Sequence, residues 1–316
     1  MLKIELNDNC PSDWNNFLKK NEYGLIYHTE EYANYISRWN KWKPVFFRIL
    51  SENGEILLQN LFFLHSPISN KIPKKIHPLI EKFKKSYRWY YGPVYSSVDA
   101  LNEFFNFLQK TKIGFHGNLH PLSKIENFTL DCKKTKWSTF LIDLQKPKKE
   151  LYDNLSKHSA RKNIERAINR GVTIEELTDK SWDDYVSLLG EFRVSQNRNN
   201  VNLDESHDFW KSLKKVGFSG FLARINDIPI GGLTFSFFNN HINEWGVARS
   251  KKDFQDKLYS QDLIKWKIIE WGIENKMKLY DLSGVNPNPI SEKEKGILRY
   301  KEKWGGKQYY YWILHR

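Results

Sequence analysis

Two pairs of turn-forming residues, Asn226-Asp227 and Asn239-Asn240, cut the segment 218–248 into three runs: Phe218 to Ile225, Ile230 to Phe238 and His241 to Ala248. Each run has the length of a strand, and two-residue connections of this chemistry close tight hairpins. The three runs therefore form an antiparallel meander. The segment beyond the meander narrows the fold further. A helical segment from about Ser260 to Asn275 leads to a short apolar strand, Leu279 to Leu282, which runs into Ser283-Gly284. Pro287 and Pro289 then forbid regular structure until a helix restarts near Glu292. That helix carries Lys301, and a final strand spans Gln308 to Leu314. Ahead of the meander lie a strand, Thr139 to Leu144, and a basic helical region, Lys148 to Arg170, stopped by Gly171 as a C-terminal cap. An extended stretch, Val172 to Leu177, comes next, then a helix over Asp183 to Val194 and another capped by Asp204 and running to about Lys215.

The first half repeats a shorter version of this order. A strand at Lys3 to Leu6 precedes a short helix capped by Ser12 and carrying Trp14, Phe17 and Leu18. Thr29 starts a second helix through about Arg38, with Glu30 and Glu31 in the first turn where the helix dipole favours acid. Val45 to Leu50 and Ile56 to Leu64 read as strands joined at Asn53-Gly54. Lys71 to Lys85 reads as loop or irregular helix. Val98 to Thr111 is helical, with Leu101, Phe104, Phe105 and Leu108 on one face, and Gly114 to Leu119 returns as a strand.

At 316 residues, 40% hydrophobic, the chain buries a sizeable core and divides into two domains more readily than one. The net charge of +13 is spread, +7 over residues 1–140 and +6 over the remainder. A spread excess suits a polyanionic partner such as RNA, a nucleotide-linked substrate or an acidic membrane surface, and equally suits a solubility surface. The longest apolar runs are too short to span a bilayer, and the N-terminus alternates like a strand, so the expected location is the cytoplasm. Cys10 and Cys132 lack metal-ligand spacing, and the nine histidines form no ligand-spaced pair with carboxylates, so no metal centre is expected.

The element order is that required of a GNAT-type acyltransferase, a mixed sheet splayed open in the middle so that acyl donor and nucleophile meet between strands. The expected fold class is α/β with a mixed sheet, in two tandem GNAT-like domains, 1–137 and 138–316. Several stretches sharpen this: Tyr27-His28-Thr29-Glu30-Glu31-Tyr32, Tyr91-Gly92-Pro93-Val94, Arg161-Lys162-Asn163-Ile164-Glu165-Arg166-Ala167, Tyr280-Asp281-Leu282-Ser283-Gly284-Val285, and Tyr300-Lys301 ahead of Trp304-Gly305-Gly306. In that order they resemble the Fem-type aminoacyltransferases. The resemblance implies transfer of an amino acid from aminoacyl-tRNA to an amine on a peptidoglycan-type precursor, with no cofactor, and peripheral contact with the membrane is compatible with a lipid-linked acceptor.

The resemblance places Lys301 near the reacting ester, for electrostatic stabilisation or proton handling; a surface lysine beside Glu302 is the alternative. Asp281 is the further catalytic candidate at the strand end, and Tyr300, Gly284 and Tyr91 are substrate-binding candidates. Arg198 stands where the family has an arginine facing the precursor's phosphates, a task suited to the guanidinium fork, although Arg193 is an alternative match. Arg161, Lys162 and Arg166 lie along one helical region and are candidates for tRNA phosphate contact, with pairing to Glu165 as the alternative. His120-Pro121 replaces the family's Asp-Pro, so His120 is either a neutral base or a structural histidine. The lysine that contacts the nucleotide in the family has no match near Ile36 or Ser37. A coenzyme A-dependent N-acyltransferase is the competing reading, but the segment Ala248 to Lys257 holds no glycine with which to cradle a pyrophosphate. An RNA-binding module without catalysis is a third.

Overall fold

A computed structural model of the chain describes residues 2–67, 75, 84–123, 125 and 128–316. They divide into two units, one made of residues up to 138 together with 309–316, the other of residues 139–308. The expected region of loop or irregular helix, Lys71 to Lys85, falls almost entirely outside the described residues.

The chain opens with β1 (Lys3–Asn7), α1 (Trp14–Lys20), α2 (Glu30–Asn40), β2 (Lys43–Leu50), β3 (Ile56–His65), β4 (Ser86–Trp89), β5 (Val94–Tyr95), α3 (Val98–Lys110) and β6 (Gly114–Asn118). Then β7 (Lys133–Asp143) leads into α4 (Lys148–Asp153), α5 (Lys162–Asn169), β8 (Thr173–Glu176), α6 (Trp182–Ser195) and α7 (Leu203–Gly217). The meander β9 (Phe218–Ile225), β10 (Ile228–Phe238) and β11 (His241–Arg249) comes next. Last are α8 (Lys251–Gln255), α9 (Ser260–Glu274), β12 (Leu279–Asp281), α10 (Glu292–Glu302) and β13 (Lys307–His315). This is a mixed α/β fold of tandem GNAT-like units.

In the first unit the strand order is β1-β2-β3-β4-β6-β13, with β5 on the other end of β3. Its pairs are antiparallel except β4 with β6. Alternate residues of these strands face α3, where Phe47, Phe62, Trp89, Phe104 and Phe115 are buried together. Thr29 caps α2 by accepting the Tyr32 amide at 3.3 Å, as its position in sequence predicts. Asp13, not Ser12, is the residue at the N-terminus of α1, and its carboxylate is drawn instead to Arg48 at 2.6 Å.

The second unit runs β7-β12-β11-β10-β9-β8, antiparallel except β11 with β12. Both hairpin turns of the meander use left-handed residues, Asn226 (φ 47°) and Asp227 (φ 63°), then Asn239 (φ 49°) and Asn240 (φ 61°). That is the geometry whose twist matches the flanking strands. The expected continuous helix over 148–170 is broken between Asp153 and Lys157, where the Ser156 amide leaves the helical ladder to donate to the Lys303 carbonyl at 2.9 Å. Gly171 ends it at φ +77°, as expected. Asn202, not Asp204, caps α7, accepting from the Glu205 amide at 3.0 Å.

The first unit's parallel pair is flanked by a strand from the far end of the chain, since β13 joins β6 through Ile313↔Asn118 and Leu314↔Gly117, whereas β12 is flanked by β7 within its own unit through Ile142↔Tyr280. Residues 309–316 consequently pack with the first unit instead of extending the second to the C-terminus, as the sequence led us to expect.

Candidate active site

In the second unit, β11 and β12 run parallel through three residue pairs, ending at Asn243↔Asp281. Beyond that point β11 continues to Arg249 on β10 alone, while the chain after Asp281 turns away at Ser283, whose φ is +64°. The two strands part, and a cavity of about 1030 Å³ opens there. Glu244, Trp245 and Val247 of β11 line it, with Leu282, Ser283 and Gly284 opposite and Tyr300 and Lys301 of α10 alongside. α10 is started by a reciprocal cap in which Ser291 and Glu294 satisfy each other's backbone amides.

The Lys301 ammonium donates to three carbonyls in succession, Leu282 at 2.6 Å, Ser283 at 2.6 Å and Gly284 at 3.0 Å. Its three N–H groups are thus all committed to the turn after β12. The residue is 9% exposed, and burial pulls its pKa down to about 8. An ordinary surface lysine does neither. Thr139 Oγ1 lies 2.9 Å from the Ser283 carbonyl and shares its single proton between that oxygen and the Asp281 carboxylate. The Ser283–Gly284 peptide is trans, so the Gly284 N–H points to the side away from Lys301.

Asp281 is placed differently from its expected role. It is 1% exposed, lies outside the cavity lining, and accepts from Thr139 Oγ1, from Asn243 Nδ2 at 3.2 Å and from the Ser283 amide at 2.7 Å. Burial raises its pKa to about 6, against the pull of Thr139 and the Ser283 amide. A carboxylate walled in beneath the turn holds the amide of Ser283, which stands in a left-handed conformation.

Arg198 lines the same cavity. α6 ends at Gln196, Asn197 takes φ +57°, and the Arg198 amide returns to the Arg193 carbonyl at 2.9 Å. This turn places an exposed guanidinium with no ion-pair partner among the described residues at the cavity. Arg193 is not in the lining, which favours Arg198 between the two. Tyr300 stacks on Lys303 at 4.1 Å and on Lys265 at 5.4 Å.

Sequence reasoning missed a charged pair in the cavity wall. Glu244 accepts from both Lys265 and the Tyr280 hydroxyl, and Glu244 and Lys265 are almost wholly buried. A second pair, Asp262 with Lys303, lies nearby; burial raises the Asp262 pKa against the pull of Lys303. The signal was a lone acid in the strand Ile242 to Val247 and a lone lysine within Leu263-Ile264-Lys265-Trp266. A charge inside an apolar run is buried only with a partner.

The basic run separates on inspection. Arg161 lies 3.8 Å from Asp153, Lys162 is exposed, and Arg166 bonds to the Tyr259 hydroxyl at 3.4 Å and stacks on its ring. Tyr259 lines the cavity, so this helix reaches its rim. Glu165 accepts from Tyr152 at 3.3 Å instead of pairing along the helix.

His120 and Tyr91 belong to the first unit. His120 is 1% exposed, and its Nδ1 accepts the Leu122 amide at 3.1 Å, a structural use of the lone pair a base needs. Tyr91 stacks among Tyr27, His120 and Tyr311. Among the described residues no group of side chains is arranged to hold a metal, and no helix is long and apolar enough to cross a membrane.

No protein-family model and no curated protein matches the chain. Solved structures do. FemX shares the fold with a TM-score of 0.72 at 12% identity, covering 98% of this chain and 96% of that one. L-PGS from Bacillus licheniformis gives 0.58 at 12% identity over 98% and 92%, and a tandem GNAT protein from the clavulanic acid biosynthesis pathway gives 0.51 at 9% over 100% and 98%. The expected likeness to the Fem type and to tandem GNAT proteins therefore holds at the level of fold.

Proposed function

We propose that the chain is an acyltransferase that moves an aminoacyl group from aminoacyl-tRNA to an amine on a cell-envelope precursor of the peptidoglycan type. The observation that carries this reading is the Lys301 ammonium clamped to three carbonyls at the parting of β11 and β12. Attack of an amine on an ester puts negative charge on the carbonyl oxygen, and a fixed donor aimed at that oxygen lowers the barrier. The Gly284 N–H is that donor in our reading. It has no partner among the described residues, and its peptide carries an ammonium on the opposite end, which strengthens the dipole. Lys301 and Thr139 act through this peptide, while Arg198 at the cavity receives a phosphate. The amine loses a proton and the tRNA 3′ oxygen leaves with one, so the transfer balances without a redox or metal partner.

The short helix α8, Lys251–Gln255, is capped by Ser250 and has no preceding glycine turn, which speaks against a coenzyme A pyrophosphate there. The test pairs the protein with charged tRNAs and amine-bearing envelope precursors, and separately with acetyl-CoA, reading products by mass spectrometry. Amino-acid transfer that RNase pretreatment of the donor abolishes is expected. Transfer that survives complete digestion, or acetyl transfer in its place, overturns the assignment.

A further inference from the structure

The first unit carries a cationic cluster that the proposed transfer does not use. Tyr87, Trp89, Phe115 and Leu314 face the buried core, so the residues that alternate with them face the other side of the sheet. There the register sets Phe63, Arg88, His116 and His315 in a row across β3, β4, β6 and β13. His65, two residues along β3, stacks on Trp42 with ring centroids 4.5 Å apart. The Arg88 guanidinium lies over the rings of Tyr90 and Trp42, at 5.4 and 5.9 Å. Its Nε is buried without a hydrogen-bond partner, and no carboxylate among the described residues pairs with it. The His116 and His315 Nδ1 atoms are 3.4 Å apart.

We propose that this row is a binding site for the phosphate group of a small ligand, held by the Arg88 fork and flanked by His65, His116 and His315. A guanidinium between two aromatic faces is pre-oriented, and its fork matches two phosphate oxygens. A hydrogen bond between the two Nδ1 atoms needs one donor and one acceptor, and the Arg88 charge disfavours a further proton on His116. Burial holds His116 below its usual pKa, with Arg88, His315 and His65 adding to the effect; burial and Arg88 do the same to His65. Around His315 stand Cys132 and, acting on that thiol, Lys134, Arg316 and Asp131. A bound phosphate supplies the missing negative charge, so binding takes up protons and affinity rises as pH falls. The site is independent of the transfer reaction.

Isothermal titration of the full chain with inorganic phosphate, and with sulfate as a dianion of the same shape that does not itself titrate in this range, at pH 8 and pH 6 tests it. Sulfate binding that tightens roughly tenfold or more between these values is expected, from proton uptake by the protein alone. In an Arg198→Ala background, which removes the other proposed phosphate contact, Arg88→Gln abolishes the remaining binding and His116→Gln keeps it but flattens the pH dependence. Should Arg88→Gln fail to fold, the half-buried His116 and exposed His315 changed together to Gln serve in its place. No binding at pH 6, binding that does not vary with pH, or binding lost only in Arg198→Ala overturns the proposal.

Discussion

Both units contain a parallel strand pair joined through a helix, and the two pairs end differently. In the second unit β11 and β12 part after Asn243↔Asp281, and the gap is left to backbone groups, Lys301 and the Glu244–Lys265 pair. In the first unit β4 and β6 stay paired as far as Trp89↔Gly117, and the Gly92 amide then donates to the Asn118 carbonyl at 3.1 Å. Trp89 lies so close over Gly117 that a Cβ there would sit 1.9 Å from its ring. One topology thus gives a plug in one place and a cavity in the other. The difference follows the course of the chain after each pair: in the first unit the backbone keeps bonding across through Gly92 and Asn118, with the Trp89 indole packed over Gly117, whereas in the second it turns away at Ser283.

The largest expected effect comes from removing the plug. Trp89 is about 1% exposed, so Trp89→Ala should cost about 3–5 kcal/mol of stability, seen as a lower urea midpoint. A midpoint close to wild type would mean that packing of the indole does not hold β4 and β6 together. The same truncation at the open pair should act on rate. Lys301→Ala should lower kcat on the order of a hundredfold, because the clamp that orients and polarises the Gly284 donor is lost, with near-native circular dichroism. Unchanged turnover would remove the clamp from the chemistry.

Lys301 also gives the comparison a pH signature. With a pKa of about 8, it is a full ammonium below that value and loses a proton as pH rises through it. One of the three carbonyls then loses its donor, so the rate should fall above about pH 8 in the wild type, and this limb should vanish in Lys301→Ala. Stability moves the other way. The folded pKa lies below that of the unfolded lysine, so the unfolded chain binds more protons between about pH 8 and 10.5, and this group's contribution rises with pH there. A rate limb that persists in the variant belongs to another group.

How much of the fold and site was legible in sequence depends on the range of the interactions. The hairpins at Asn226-Asp227 and Asn239-Asn240, the Thr29 cap and the apolar face of α3 are set by neighbours a few residues away. The return of β13 to the first unit is not, because as a pattern that strand satisfies either edge equally well. Arg198, Gly284, Tyr300 and Lys301 were legible as candidates through the resemblance, and they line one cavity. Asp281 was read as catalytic because it ends a strand; its burial under Thr139 and Asn243 depends on residues 142 and 38 positions away. Glu244 and Lys265 were passed over for the same reason, since each was seen without the other.

A smaller effect is expected at the mouth of the open pair. Arg198→Ala should raise KM for a phosphate-bearing acceptor about tenfold and leave kcat nearly unchanged, because a group that binds ground and transition states alike contributes to affinity and not to turnover. A loss confined to kcat would place Arg198 at the reacting ester instead.

The smallest effect tests whether the basic helix beside the cavity follows an RNA backbone. Lys162 is exposed with no ion-pair partner among the described residues, whereas Arg161 is already held near Asp153. Each phosphate neutralised by a free cation releases counterions, so its removal should reduce the slope of log donor affinity against log salt by about one and weaken binding a few-fold. Lys162→Gln should do this, and Arg161→Gln should do less, because its charge is partly spent within the protein. The contrast between the two variants carries the information. Equal slopes in wild type and Lys162→Gln, measured by filter binding of charged tRNA across a salt series, would take this helix out of the donor site, while leaving Lys301 and the parted strands as they are.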